Sequence, residues 1–499
     1  MCRAALIRDS AGTGSEGTRI REDSFDLPNP KAGEQASDVS GANGLQRARR
    51  QYANLNAVEP KMTQKATTKL RRATGFLAPR LHQVLHFLAK QGIAMAGNLL
   101  YGLCCVRMLP KPDYAMFAVL FGFMGSLTVL QDIGISGTLA PLIGEQIDNL
   151  PLIANYVASL RRIAMQLYFV AAPVAAVIFT LLVRRQHWGY SIVAQMLCVL
   201  LVTAWFARVS SSYGAVLILR RDRSYLYRIQ MIGSLGSLAL LLVFWALHCM
   251  NVYVGILLNV AQVLFTAFSY YRRARQLLGV KGHPEPEKQR AIVRLAMPNF
   301  PASIFYAVQG QITLMLITAF GHNAASVANV GALARLGQIL VLFAQMNPIL
   351  VEPFFARLQA ARLARVYLGA VVLVTLFAAA FTASAFLFPQ LFLWVLGDKY
   401  GNLRFEVGLQ VLSSSLAFVS GFLWVINSSR RFVYWWNTVF NISLTVLVQA
   451  IVIWKVDLSS VSHVLFLNVA SATASLLVCI SCGVYGFWRG PQKMETPGN

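Results

Sequence analysis

From Ile229 to Tyr271 no residue carries a fixed charge, and only the polar cluster His248-Cys249-Met250-Asn251 interrupts the apolar run. A helix of about 20 apolar residues spans the hydrocarbon core of a bilayer, so this one stretch is long enough to cross twice around a tight turn. The chain reads as an integral membrane protein.

The same pattern recurs along the sequence. Charge-free windows run from Ile163 to Val183, Gln186 to Ala207, Leu295 to Ala334, Val366 to Gly397, Val407 to Ser429, Phe432 to Trp454 and Leu458 to Trp488. Where a single charge interrupts an apolar run, at Lys90, Asp132, Arg208, Arg335 or Glu352, hydrophobicity continues on both sides. The expectation is an all-α membrane protein of twelve helices, at 83–106, 114–143, 163–184, 190–219, 229–248, 251–271, 295–320, 325–355, 367–396, 406–427, 432–455 and 459–487. The absence of a period of two argues against a barrel.

Basic residues set the orientation. With the N-terminus inside, the inner loops hold Arg161, Arg162, Arg220, Arg221, Arg223 and Arg228, the group from Arg272 to Arg294, then Arg357, Arg362, Arg365, Arg430, Arg431, Arg489 and Lys493. The outer side holds only Arg107, Lys111, Arg184, Arg185, Lys399, Arg404 and Lys455. Both termini are therefore expected on the cytoplasmic side. The formal net charge of +24 is mostly topology and tail, so no nucleic-acid partner is expected.

Residues 1–82 are rich in Ser, Gly, Asn, Pro and Arg and lack apolar periodicity, which predicts a disordered basic tail. No apolar h-region makes it a signal peptide. Either the tail touches anionic lipid or a partner, or the start is over-extended and Met62 opens a more ordinary basic leader. The Cys104-Cys105 pair and Cys479-Ile480-Ser481-Cys482 lie in apolar spans without further ligands, and read as packing residues rather than redox or zinc sites. No Walker A loop, dinucleotide turn, HExxH or nucleophile elbow is present, so neither a cofactor nor an enzyme activity is expected.

The basic loop 272–294 divides the helices six and six, into a first half at 83–271 and a second at 295–488 followed by a tail at 489–499. An even number of crossings per half makes the halves parallel repeats, an arrangement suited to a central cavity opening alternately to either side. In the eighth helix Arg335, Gln338, Gln345 and Glu352 fall on one face at about 100° per residue. The seventh repeats this with Asn299, Ser303, Tyr306, Gly310 and Thr313. Polar stripes are costly against lipid, so both should look inward. Arg335 suits a diphosphate or acidic sugar because its fork donates paired charge-assisted bonds, while Gln338, Gln345, Asn299 and Tyr306 suit sugar hydroxyls. Arg208, flanked by Ser211 and Ser212, and Lys90 would extend a cationic cavity for anionic cargo.

Each residue has a plainer reading. Arg335 pairs with a carboxylate such as Asp132 and locks two helices. Arg208 snorkels to the headgroups, Lys90 anchors the interface, and Glu352 faces a solvated loop. Asp132 is the first candidate for a protonatable coupling group, with Glu352 the second; a local hydrogen bond near Gly134 and Gly137 accounts for Asp132 equally well.

The segments Gln91-Gly92-Ile93, Arg107-Met108-Leu109-Pro110, Asp113-Tyr114-Ala115 and Gln131-Asp132-Ile133-Gly134-Ile135 resemble the start of the polysaccharide flippases of the multidrug/oligosaccharidyl-lipid/polysaccharide exporter superfamily. Val327-Ala328-Asn329-Val330-Gly331 running into Ala334-Arg335-Leu336, then Phe388-Pro389 and Leu396-Gly397-Asp398-Lys399-Tyr400, are similar to later stretches of that family. The resemblance covers about residues 84 to 488. Members often carry an acidic residue in the seventh helix, where this chain has Gln309-Gly310-Gln311, so no ion-coupling role passes to that helix. The resemblance implies transfer of an undecaprenyl-diphosphate-linked sugar unit across a bacterial inner membrane, ahead of a polymerase that builds surface polysaccharide such as lipopolysaccharide or exopolysaccharide. A drug or metabolite antiporter of the same superfamily is the second reading, and would favour an acidic cavity. A membrane glycosyltransferase is the weakest, because the outer loops are only a few residues long.

Overall fold

The structure is a computed structural model that describes residues 90–490, except 145, 185, 187, 321–323 and 433. The tail at 1–82 with its alternative start at Met62, and residues 491–499, lie outside the described residues.

Every described element is helical. Helix α1 covers 90–108. Then follow α2 (Lys111–Asp132), the short α3 (Leu139–Ile143), α4 (Leu150–Arg184), α5 (Tyr190–Leu219), α6 (Arg223–Ala246) and α7 (Val252–Leu278). The second half comprises α8 (Pro286–Ala296), α9 (Phe300–Gln309), α10 (Ile312–Phe320), α11 (Ala324–Ala344), α12 (Glu352–Arg357), α13 (Ala360–Leu387), α14 (Pro389–Leu396), α15 (Arg404–Ser429), α16 (Trp435–Lys455) and α17 (Val461–Arg489). Among the described residues ten helices are long and apolar enough to cross a membrane, or eleven if the bent pair α8 and α9 counts as one. This is a multi-pass membrane protein.

Four expected helices are not continuous: the second breaks after Asp132 at Ile133 and Gly134, both at positive φ, and the ninth breaks at Phe388 between α13 and α14. The seventh is cut twice: α8 and α9 meet at 63° across the 3₁₀ turn Met297–Asn299, and a second turn at Gly310-Gln311 separates α9 from α10. Pro298 and Pro301 explain the first cut, because proline lacks the amide hydrogen and clashes with the preceding turn. The eighth ends as an α-helix at Ala344 and continues through the π turn Asn347–Val351 into α12. The Arg335-to-Glu352 stripe therefore does not run as one helical face, because the turn and the wider π geometry rotate the residues after Ala344.

The bundle is sealed across its halves by apolar packing. Phe117, Leu120 and Leu127 of α2 share one buried cluster with Val327, Leu333 and Leu336 of α11 and with Leu393 and Leu396 of α14. Helix α2 approaches α11 through small residues: a Cβ added at Gly331 would lie 2.6 Å from the Ala118 Cβ. Where lipid removes the hydrophobic drive between helices, such close backbone approach supplies the van der Waals contact. Helix α13 instead turns Leu368, Leu373 and Leu376 outward, each more than 60% exposed, as a lipid-facing helix does.

At one end of the bundle the two halves are fastened. Gly397 takes φ +97°, open to glycine at low cost, and starts the turn Asp398–Tyr400. The turn delivers Lys399, whose Nζ donates to the carbonyls of Arg107 (2.9 Å) and Leu109 (2.6 Å) at the end of α1. Burial and the nearby Lys111 ammonium push the Lys399 pKa down. The Arg107 guanidinium lies 5.5 Å from the Trp394 ring centre and Lys111 Nζ 5.3 Å from that of Tyr400.

Candidate functional site

A cavity of about 410 Å³ lies inside the second half and is closed on one side by α2. Its polar wall comes from Gln309 of α9, Gln311 and Thr313 at the start of α10, Arg335 and Gln338 of α11, Gln410 and Ser414 of α15, and Asn468 of α17. Phe121, Leu314, Leu340 and Phe418 supply apolar surface. No Asp or Glu stands in the lining.

Arg335 is the charged member. It is 9% exposed, and its guanidinium packs over Gly102 of α1, where an added Cβ would meet Cζ, Nε and Nη1 each at 3.1 Å. The rings of Phe117 and Phe121 lie 5.9 and 5.1 Å from its Cζ, and Nη1 donates to Gln338 Oε1 at 3.3 Å. Among the described residues no carboxylate comes within ion-pair distance. Ring faces and one amide compensate a buried cation only in part.

Behind the cavity, the broken seventh helix is pinned by a ladder of polar side chains. Asn441 donates to the Tyr306 hydroxyl at 2.7 Å and accepts from Ser475 at 3.2 Å. Gln449 Nε2 reaches Gln309 Oε1 at 2.8 Å and Ser471 at 3.0 Å, and Thr313 donates to Asn468 Oδ1. On α17 Asn468, Ser471 and Ser475 are three and four positions apart, and on α16 Thr445 stands midway between Asn441 and Gln449, so each helix presents its set on one face. Amide and hydroxyl pairs of this kind satisfy each other inside a membrane and hold α9 and α10 despite the turn between them.

Of the residues singled out from the sequence, Arg335 and Gln338 line the cavity together. Gln345 and Glu352 are exposed beyond the end of α11 and do not line it. Tyr306 belongs to the ladder, and Asn299 lies in the 3₁₀ turn with its side chain outside the described residues. Lys90, the first described residue, is half-buried outside the lining. Arg208 is buried elsewhere: Nη1 donates to the Arg161 carbonyl at 3.4 Å and Cζ lies 4.2 Å from the Trp205 ring centre. Asp132 does not pair with Arg335. Its Oδ1 accepts from the Ser136 amide at 3.0 Å and its Oδ2 from the Ser136 hydroxyl at 2.6 Å, tying the end of α2 to the following 3₁₀ turn. With both oxygens engaged locally, Asp132→Ala is expected to cost about 1 kcal/mol of stability, as loss of a capping side chain does. The pH profile of transport in vesicles should be unchanged; a flattened profile would instead make Asp132 the coupling group.

Gln410, Ser414 and Asn468 escaped the sequence reading. They lie on helices far from Arg335 in the chain, and only the packing brings them to one wall.

No protein-family model matches the chain, and no curated protein does. Solved structures do match. An inward-facing multidrug resistance MATE family transporter of the MOP superfamily is 16% identical with a TM-score of 0.57, over 80% of this chain and 94% of that one. MATE in a bent conformation is 15% identical with a TM-score of 0.50, over 81% and 94%. MATE in complex with MaL6 is 16% identical with a TM-score of 0.51, over 81% and 95%. The chain has the all-helical fold of the MATE transporters of the MOP superfamily.

Proposed function

We propose that the chain is a flippase that moves an undecaprenyl-diphosphate-linked oligosaccharide across the bacterial inner membrane by alternating access of its two halves, supplying a polymerase of surface polysaccharide. The observation that carries this reading is the buried Arg335, without a carboxylate partner, in a cavity whose other polar lining consists of amides and hydroxyls. A guanidinium recognises a diphosphate by paired charge-assisted bonds, and Gln309, Gln311, Gln338, Gln410 and Asn468 offer both donors and acceptors to sugar hydroxyls. With the basic loops on the cytoplasmic side, the fastening at Lys399 lies on the outer side and both termini are cytoplasmic.

A second reading is a multidrug antiporter, favoured by the multidrug resistance transporter among the structural neighbours. Cationic cargo gains nothing from a cavity whose lining has a cation and no acid. Deleting the gene in its host and extracting the lipid-linked sugars separates the two. The expected result is a single diphosphate-linked repeat unit accumulating on the cytoplasmic face, with loss of surface polysaccharide. Normal polysaccharide with altered sensitivity to cationic drugs would establish the antiporter.

A further inference from the structure

A second cavity, of about 670 Å³, lies between α4 and α8, apart from the Arg335 cavity and sharing no lining residue with it. Its walls are fixed by the loop that leads into α8. A Cβ at Gly282 would fall 2.0 Å from the Ala154 carbonyl oxygen, so only glycine permits this approach. Beyond it the His283 amide donates to Asn155 Oδ1 at 2.9 Å and the Glu285 amide to Ser159 Oγ at 3.0 Å. Helix α8 then buries Ile292 and Ala296, and the groove is left beside it.

The groove is two-sided. Ile163, Val293 and Met297 give it an apolar side, with Val293 42% and Met297 67% exposed. Gln289, Arg290 and Arg294 give it a polar one, the arginines four residues apart and hence neighbours on the helix surface. No carboxylate lines it. Three other cations are paired: Arg273 with Asp222 at 2.7 Å, Lys288 with Glu285 at 2.7 Å and Arg220 with Asp148 at 3.7 Å. Among the described residues neither Arg290 nor Arg294 has an ion pair, although Glu287 lies on the same helix.

We propose that this groove binds an anionic phospholipid from the leaflet at this end of the bundle, its phosphate held by Arg290 and Arg294 and an acyl chain laid along Ile163, Val293 and Met297. Two adjacent guanidiniums match one phosphate group, and the exposed apolar side gives the chain a path into the bilayer. A soluble anion would have no use for that side. The proposal is independent of the cargo, because it concerns residues outside the Arg335 cavity.

Retention of phosphatidylglycerol and of phosphatidylcholine by the purified full chain, measured by native mass spectrometry, tests this. Wild type is expected to prefer phosphatidylglycerol, and each of Arg290→Gln and Arg294→Gln to weaken the preference by about fivefold. Val293→Glu, which puts a like charge beside the phosphate, should also weaken it. Lys281→Gln, at the same end but outside the groove, should retain it. A double arginine variant that keeps the preference, or a Lys281→Gln variant that loses as much, overturns the site. Displacement of phosphatidylglycerol by undecaprenyl diphosphate in wild type overturns the choice of ligand and gives the groove to the cargo lipid.

Discussion

Arg335→Leu is expected to cut transport of the lipid-linked cargo by more than about tenfold while the protein stays in the membrane and melts no lower than wild type. The reasoning turns on the missing partner. Breaking a buried ion pair leaves one charge stranded and costs about 3–5 kcal/mol, whereas removing an unpaired buried cation relieves a desolvation penalty. Arg335 is of the second kind, held by Gln338 and two ring faces. Arg335→Lys should keep partial activity, since charge survives but the fork does not. Gly102→Leu should mimic the loss, because its side chain would occupy the space of the guanidinium, now 3.1 Å from an ideal Cβ. Transport into inverted vesicles together with thermal melting decides the matter. Equal loss of transport and of melting temperature across these variants would make Arg335 a structural residue.

The second large effect is expected at the fastened end. Lys399 Nζ binds two carbonyls at the end of α1, where the helix dipole is negative and a cation is favoured. Lys399→Met removes both bonds and the charge. Because the side chain is partly exposed, the loss is about 1 kcal/mol, or roughly fivefold in the balance between closed and open forms at this end. Cys105, fully buried on α1 two residues before Arg107, is the reporter. In a chain whose other cysteines are serine, Lys399→Met should raise its rate of alkylation by that factor. An unchanged rate would show that Trp394 and Tyr400 hold the end closed without Lys399.

Much of the architecture was legible because lipid imposes one rule: long charge-free runs must be helices. Arg335 and Gln338 were legible for a related reason, since charges and amides inside such runs need an inward-facing place. The interruptions were less so. Met297-Pro298-Asn299-Phe300-Pro301 carries the proline signal for a cut, yet apolar residues on both sides disguise it as one span. The π turn at Asn347–Val351 has a single proline, and rotates Gln345 and Glu352 off the face that a regular helix would have given them. The opposite wall was hidden for a different reason. Gln410 and Ser414 share a face of α15, and Asn468 shares one of α17 with Ser471 and Ser475, but nothing in the chain says that these faces meet Arg335, so their common role exists only in three dimensions.

The seam between α2 and α11 has a mechanical consequence. The backbones come closest where Gly331 meets Ala118, while Phe117 and Leu120 interlock with Val327, Leu333 and Leu336 beside that point, so sliding one helix along the other requires these side chains to repack together. The Tyr114 hydroxyl on the Gly331 carbonyl at 3.2 Å also opposes the slide, a detent of about 1 kcal/mol that thermal motion releases readily. A shift at this seam is therefore a jump between two packed registers rather than a gradual glide.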